Sequence, residues 1–115
     1  MPLIEADTGR VVLPRLTVAA AMLPRMLGLL GRTALADDEG MYFPDCRMIH
    51  TWFMRMPIDV VFLDDAGIIR DLRPALPPWR VAGCRKGGRH TLELGAGAAA
   101  RLGLAPGGRL LVASS

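Results

Sequence analysis

The sequence predicts a mainly β domain, a compact β-sandwich or partly open, jelly-roll-like barrel with one or two short helices. Two observations carry that prediction. Short apolar segments recur along the chain, and glycine, proline and aspartate punctuate them at short intervals. Of the 115 residues, 51% are hydrophobic but only 5% aromatic, so a single core packed by Leu, Val, Ile and Met is expected rather than two domains. Residues 1–9 are expected to be an N-terminal extension and residues 10–115 to form the domain.

Residues 10–20 hold one or two short strands, Val11, Val12, Leu13 and then Leu16, Thr17, Val18. Met22, Leu23, Met26, Leu27 and Leu30 fit an apolar helical stripe, with Pro24 in its first turn and Gly31 as its stop. Gly28 in the middle weakens this helix and keeps it short. Asp37, Asp38, Glu39 and Gly40 form a polar turn before a strand of Met41, Tyr42 and Phe43, which Pro44 ends. Residues 49–54 give another short strand.

The clearest strand follows: Ile58, Asp59, Val60, Val61, Phe62, Leu63. Consecutive apolar positions imply burial on both faces, Asp59 apart. Asp64, Asp65, Ala66 and Gly67 make a hairpin connection, with Gly67 free to take positive φ. Residues 68–72 are the return strand. Residues 73–89 contain Pro74, Pro77, Pro78, Gly83, Gly87 and Gly88 and read as a surface loop or flap. Residues 90–94 alternate Thr91 and Glu93 with Leu92 and Leu94, a half-buried strand. Residues 96–102 supply a helical turn or two stopped by Gly103. Pro106, Gly107 and Gly108 then lead into a last strand over residues 109–113.

The net charge of +3 is unevenly spread. Arg73, Arg80, Arg85, Lys86 and Arg89 lie between residues 73 and 90 with no acid among them, leaving nine cations against eleven acids elsewhere. A small anionic ligand at this flap is the partner the charge favours. The overall charge is too low to favour a nucleic-acid partner. Cys46 and Cys84 are too few for a disulfide scaffold and are read as thiols or as one bridge. The first seven residues have no basic start or long apolar run, and the most apolar stretch is broken by Pro24 and Arg25. Neither a secretory signal nor a membrane span is expected, and the cytoplasm is the default compartment.

Taken together, these segments resemble domain-of-unknown-function family 192. The resemblance is carried by Arg25, Gly28, Leu29 and Arg32, then Gly40 to Phe43, and above all by the block from Thr51 to Asp64 (TWFMRMPIDVVFLD) with Gly67. Pro77, Pro78, Trp79, then Leu92, Glu93, Leu94, Ala96, Gly97, and finally Gly103, Leu104, Pro106 and Gly107 extend it over residues 10–113. The chain departs from the family pattern at Leu30, where Met is usual, and at Gly108, where Asp is usual. The resemblance implies a sandwich or jelly-roll fold with short helices and implies no activity.

Arg32, His50, Trp52, Arg55, Asp59, Trp79 and Glu93 are the candidate ligand-binding residues. Asp59 is a lone carboxylate in an apolar strand, where an unpaired charge costs roughly 2–5 kcal/mol. Arg32 or Arg55 is the expected bidentate partner. Such a pair fixes a hairpin to a sheet, orients a ligand, or supplies a general base. Glu93 is read the same way. Cys46 and His50 with Cys84 and His90 lack the tight spacing of a structural zinc site and offer no orienting third group for a Cys/His dyad, so neither a metal nor a cofactor is expected. The Gly95–Ala100 segment mimics a dinucleotide fingerprint, but the chain leaves no room for the second strand that would hold the ribose. A non-enzymatic module binding a small ligand or a protein is the preferred reading. The alternative is a small hydrolase-like enzyme with Asp59 or Glu93 as base, which requires the two carboxylates to share one pocket.

Overall fold

The computed structural model describes residues 2–18, 35–36, 38–52, 54–84 and 87–113. Its elements run β1 (Leu3–Glu5), β2 (Val11–Leu13), β3 (Arg15–Val18), β4 (Glu39–Phe43), β5 (Met48–His50), β6 (Ile58–Leu63), β7 (Ile69–Leu76), β8 (Val81–Gly83), β9 (His90–Gly95), a short helix α1 (Ala98–Arg101) and β10 (Leu110–Val112). The helical stripe expected over residues 22–30 lies outside the described residues, as does Arg32.

Every residue of β6 is buried, and the period of two divides them between two cores. Val61 and Leu63 join Leu92 and Leu94 of β9 with Leu3, Leu13 and Leu110 on one face. Ile58, Val60 and Phe62 join Phe43, Ile49, Met56 and Ala82 on the other. The five-stranded sheet, in order β3-β4-β9-β6-β7, is therefore covered on both sides. A three-stranded sheet, β10-β1-β2, and a two-stranded ribbon, β5-β8, complete the fold. The architecture is mainly β and layered, as the turn-punctuated sequence predicts. Among the described residues the one parallel pair is β3 with β4, clasped at its start by Arg15, whose guanidinium donates twice to Asp38 at 2.9 and 2.6 Å.

Two expectations are corrected. Residues 1–9 are not an extension: β1 is the middle strand of its sheet, pairing Leu3 with Val112 and with Leu13, and Leu3 is fully buried. Three residues are too few for alternation to show in the sequence. Residues 73–89 are not a single loop either. β7 continues to Leu76 past Pro74, which it accommodates because β7 is an edge strand with a bulge opposite Asp59. Ala75, in that bulge, has φ 47°. β8 then pairs with β5.

Asp64 organises the β6–β7 turn. Its Oδ1 accepts the Ala66 and Ile68 amides, each at 2.9 Å, and its Oδ2 accepts from Arg70 Nε at 2.8 Å. Burial works against the charged carboxylate, but the Ile68 amide, the Arg70 guanidinium and the Ala66 amide outweigh it, so its pKa lies below the ordinary 3.8. A folded pKa below the unfolded one contributes stability that is complete above the unfolded value and lost as pH falls through the folded one. Asp64→Asn is thus expected to lower Tm at neutral pH and to flatten the decline in Tm below about pH 4. An unchanged acid slope by circular dichroism would assign that decline to other carboxylates.

Candidate functional site

The β5–β8 ribbon pairs Met48 with Gly83, Ile49 with Ala82 and His50 with Val81. Ile49 and Ala82 face the core, which leaves Met48, His50 and Val81 on the outward side. Between this ribbon and the edge strand β7 opens a cleft of about 1050 Å³, lined by Arg47, Met48, Arg70, Asp71, Arg73 and residues 81–84, 87 and 88. Gly88 closes tightly on its floor, since a Cβ there would sit 2.7 Å from the Cys84 Sγ.

Three guanidinium groups line the cleft against one carboxylate. Arg70 donates through Nε to Asp64 at 2.8 Å, and Arg73 through Nε to Asp71 at 3.0 Å. Arg73 Nη2 also reaches the Gly83 carbonyl at 3.5 Å. Arg47 is exposed and makes no ion pair among the described residues. Its backbone is fixed by the ribbon, where its carbonyl accepts the Cys84 amide at 3.0 Å.

Just beyond β5, Thr51 cross-links two segments. It is fully buried, its hydroxyl donates to the Pro77 carbonyl at 2.6 Å and accepts the Arg80 amide at 2.9 Å. Its own amide donates to the Arg80 carbonyl, and its carbonyl accepts the Trp79 amide. Trp52 and Trp79 therefore emerge on either side of one anchor. They are 46% and 57% exposed, and Trp79 is held at φ 65°, a left-handed conformation that bulky residues rarely adopt. The Trp52 ring leans on His50 with centroids 4.8 Å apart, while His50 Nδ1 is buried without a hydrogen-bond partner.

Asp59 does not find the expected partner in Arg55, and Arg32 lies outside the described residues. Asp59 is 1% exposed, and its carboxylate meets no arginine among the described residues. Oδ1 accepts the amides of Ala75 at 2.8 Å and Gly97 at 3.2 Å, and Oδ2 accepts that of Ala99 at 2.9 Å. It thus binds the β7 bulge to the start of α1. Arg55 is exposed and unpaired among the described residues. Glu93 is 3% exposed but pairs with Val60, whereas Asp59 pairs with Leu94. The two carboxylates consequently point to opposite faces of the sheet and cannot share a pocket, which removes the hydrolase-like arrangement.

His90 is engaged by carboxylate and backbone. Its Nδ1 accepts the Asp45 amide at 2.9 Å and its Nε2 lies 2.8 Å from Asp65 Oδ1. Tyr42 lies against it, its phenol pushed above the ordinary range by burial, with Asp45 and Asp65 adding to the effect. Cys46 and Cys84 are buried free thiols. Among the described residues no three potential metal ligands converge.

Of the residues singled out in the sequence, the structure gathers His50, Trp52 and Trp79 at one end of the β5–β8 ribbon and leaves Asp59 and Glu93 to the sheet. Sequence reasoning missed Arg47, Arg70 and Thr51. The only early signal was the cationic excess of the flap, which includes Arg73.

A family model described as DUF192, Uncharacterized ACR, matches residues 4–112. No curated protein matches. A protein of unknown function from Novosphingobium aromaticivorans is 25% identical with a TM-score of 0.82, over 97% of this chain and 84% of its own. A protein from Sinorhizobium meliloti, provisionally described as a transcription regulator, is 31% identical with a TM-score of 0.77, over 96% of this chain and 89% of its own. No helix among the described residues is long and apolar enough to cross a membrane.

Proposed function

The chain belongs to the DUF192 family, and from that premise we propose that it is a non-enzymatic binding module that captures a small anionic ligand in the cleft between β7 and the β5–β8 ribbon. One observation carries the reading: Arg47 lines a cleft of ligand size and has no carboxylate partner among the described residues. Arg70 and Arg73 stand beside it, pre-ordered through their Nε atoms by Asp64 and Asp71, so an anion would meet guanidinium groups already in place. Among the described residues Asp71 is the one carboxylate on the wall, and it already pairs with Arg73 rather than standing free as a base. Both thiols are free, which suits a reducing, cytoplasmic setting. A ligand-sensing module also fits the provisional description of the Sinorhizobium relative.

Thermal melting in millimolar inorganic phosphate at constant ionic strength tests this. Saturation at a hundredfold excess over Kd adds about 2.7 kcal/mol, so the wild-type Tm is expected to rise by several degrees. Arg47→Ala should abolish the rise while leaving the phosphate-free Tm unchanged. No rise in the wild type, or a rise that survives Arg47→Ala, overturns the proposal.

A further inference from the structure

The two tryptophans flank one end of the ribbon that walls this cleft, Trp52 just after β5 and Trp79 just before β8. Met48 and Val81 line the cleft and also form the outward side of the ribbon. Val81 pairs with His50, and His50 stacks against Trp52. From Val81 on the cleft wall to the Trp52 indole there is thus a single intervening side chain, His50. Met48 and Val81, at 62% and 54% exposed, extend the apolar surface that Trp52 and Trp79 begin.

Exposed indoles have an energetic cost that the fold does not reduce here. Trp79 is kept in a left-handed backbone conformation, and Thr51, with no exposed surface of its own, is spent on holding the Trp79 and Arg80 backbone in place. Strain held by a buried cross-link is a mark of a surface organised for recognition. The charges around it are arginines, Arg47, Arg55 and Arg80, all exposed. Cationic surroundings disfavour a neutral sugar as the stacking partner, because sugar hydroxyls are usually met by carboxylates and amides. They favour a flat ring that carries an anion.

We infer that the ligand is a nucleotide, with its phosphate among Arg47, Arg70 and Arg73 and its base reaching past Val81 and His50 to stack on Trp52. This rests on the anion-binding reading and names its ligand class. The backbone of the ribbon sets the distance between the two subsites, while stacking on an indole tolerates any base. Specificity should therefore lie in the combination of phosphate and ring, with little preference among bases.

Residues 52 and 79 are the only tryptophans in the chain, so intrinsic fluorescence reports on this platform alone. Titration with AMP is expected to quench it, with a Kd at least about tenfold below those of inorganic phosphate and of adenosine. Trp52→Ala should weaken AMP roughly tenfold or more while changing phosphate affinity less than about twofold, read by calorimetry. Trp52→Phe should restore most of the loss. If Trp52→Ala and the wild type bind AMP equally, or if AMP binds no better than phosphate, the nucleotide inference fails. The anion-binding reading then still stands so long as Arg47→Ala loses phosphate. Loss of AMP binding in Trp52→Ala together with intact AMP binding in Arg47→Ala would instead overturn the phosphate placement. A hexa-adenylate arm identifies the source: tighter binding of AMP per site assigns a free nucleotide, tighter binding of the oligomer assigns a single strand, and both support the ring-plus-phosphate chemistry.

Discussion

Asp59→Ala is expected to cost about 3–5 kcal/mol and to lower Tm by roughly 10–20 °C. The carboxylate is 1% exposed and answers three amides, those of Ala75, Gly97 and Ala99. Removing it leaves one buried donor, the Ala99 amide, and two part-buried donors without their acceptor, and a buried group so stranded carries a desolvation penalty of about 1–3 kcal/mol. Two of the donors open α1, whose Gly97 is at φ 88° and has no side-chain cap of its own. Asp59 therefore does from β6 what a capping residue does locally. Asp59→Asn should fall between, at roughly 2–3 kcal/mol, because its oxygen still accepts while its nitrogen turns a donor toward a donor. Arg55→Ala, at an exposed site, should change stability by less than about 0.5 kcal/mol. Chemical denaturation of the three variants checks the order. Asp59→Ala melting with the wild type would mean that the carboxylate is not what joins β7 to α1.

That role could not be read from the residues alone, and the reason is general. A buried carboxylate announces that it needs partners. When those partners are side chains, their identity is visible as a nearby arginine or lysine, which is why Arg32 and Arg55 were the natural candidates. Backbone amides carry no such signature, because every residue except proline has one. Ala75, Gly97 and Ala99 lie sixteen to forty positions away from Asp59, and nothing in their chemistry distinguishes them from other alanines and glycines. By contrast β6 and the Asp64–Gly67 turn were legible, since each is written in contiguous periodicity or turn chemistry. β9 was legible as a strand but is not half-buried as its alternation suggested, because Thr91 and Glu93 are buried as well as Leu92 and Leu94. The cleft was half legible. Arg73 belonged to the cationic flap, but Arg47 joins it only through the β5–β8 register, a non-local pairing between two three-residue strands.

The placement of Asp59 and of the cleft on opposite sides of the sheet has a functional consequence. Asp59 lies with Leu94 on the face covered by β1, β2 and β10. The ribbon that walls the cleft packs on the other face, against Val60 and Phe62. A fold-stabilising carboxylate and a ligand-binding wall thus share one sheet with few side chains in common. Substitutions in the cleft should change affinity at nearly constant stability, and substitutions at Asp59 the reverse, with additivity expected between such separated sites.

Gly67→Ala should be comparably damaging, for a reason that concerns backbone rather than side chains. Gly67 closes the β6–β7 turn at φ 83°, and its carbonyl accepts the Leu110 amide at 2.9 Å. A Cβ built there would lie 2.1 Å from the Leu110 carbonyl oxygen, far inside any contact that a rotamer change could relieve. Either the turn or β10 must move, and Leu110 is itself a core residue at 4% exposure. The left-handed conformation alone costs an alanine about 1–2 kcal/mol. Displacing a packed strand adds a further 1–3 kcal/mol or so, for a total on the order of 2–5 kcal/mol. Gly9 separates the two contributions. It has a similar φ of 73° but nothing within 4 Å of the added Cβ, so Gly9→Ala should show the conformational part alone, about 1–2 kcal/mol. Equal losses in the two variants, measured by urea denaturation, would mean that β10 yields freely and that the contact between turn and strand contributes nothing to the fold.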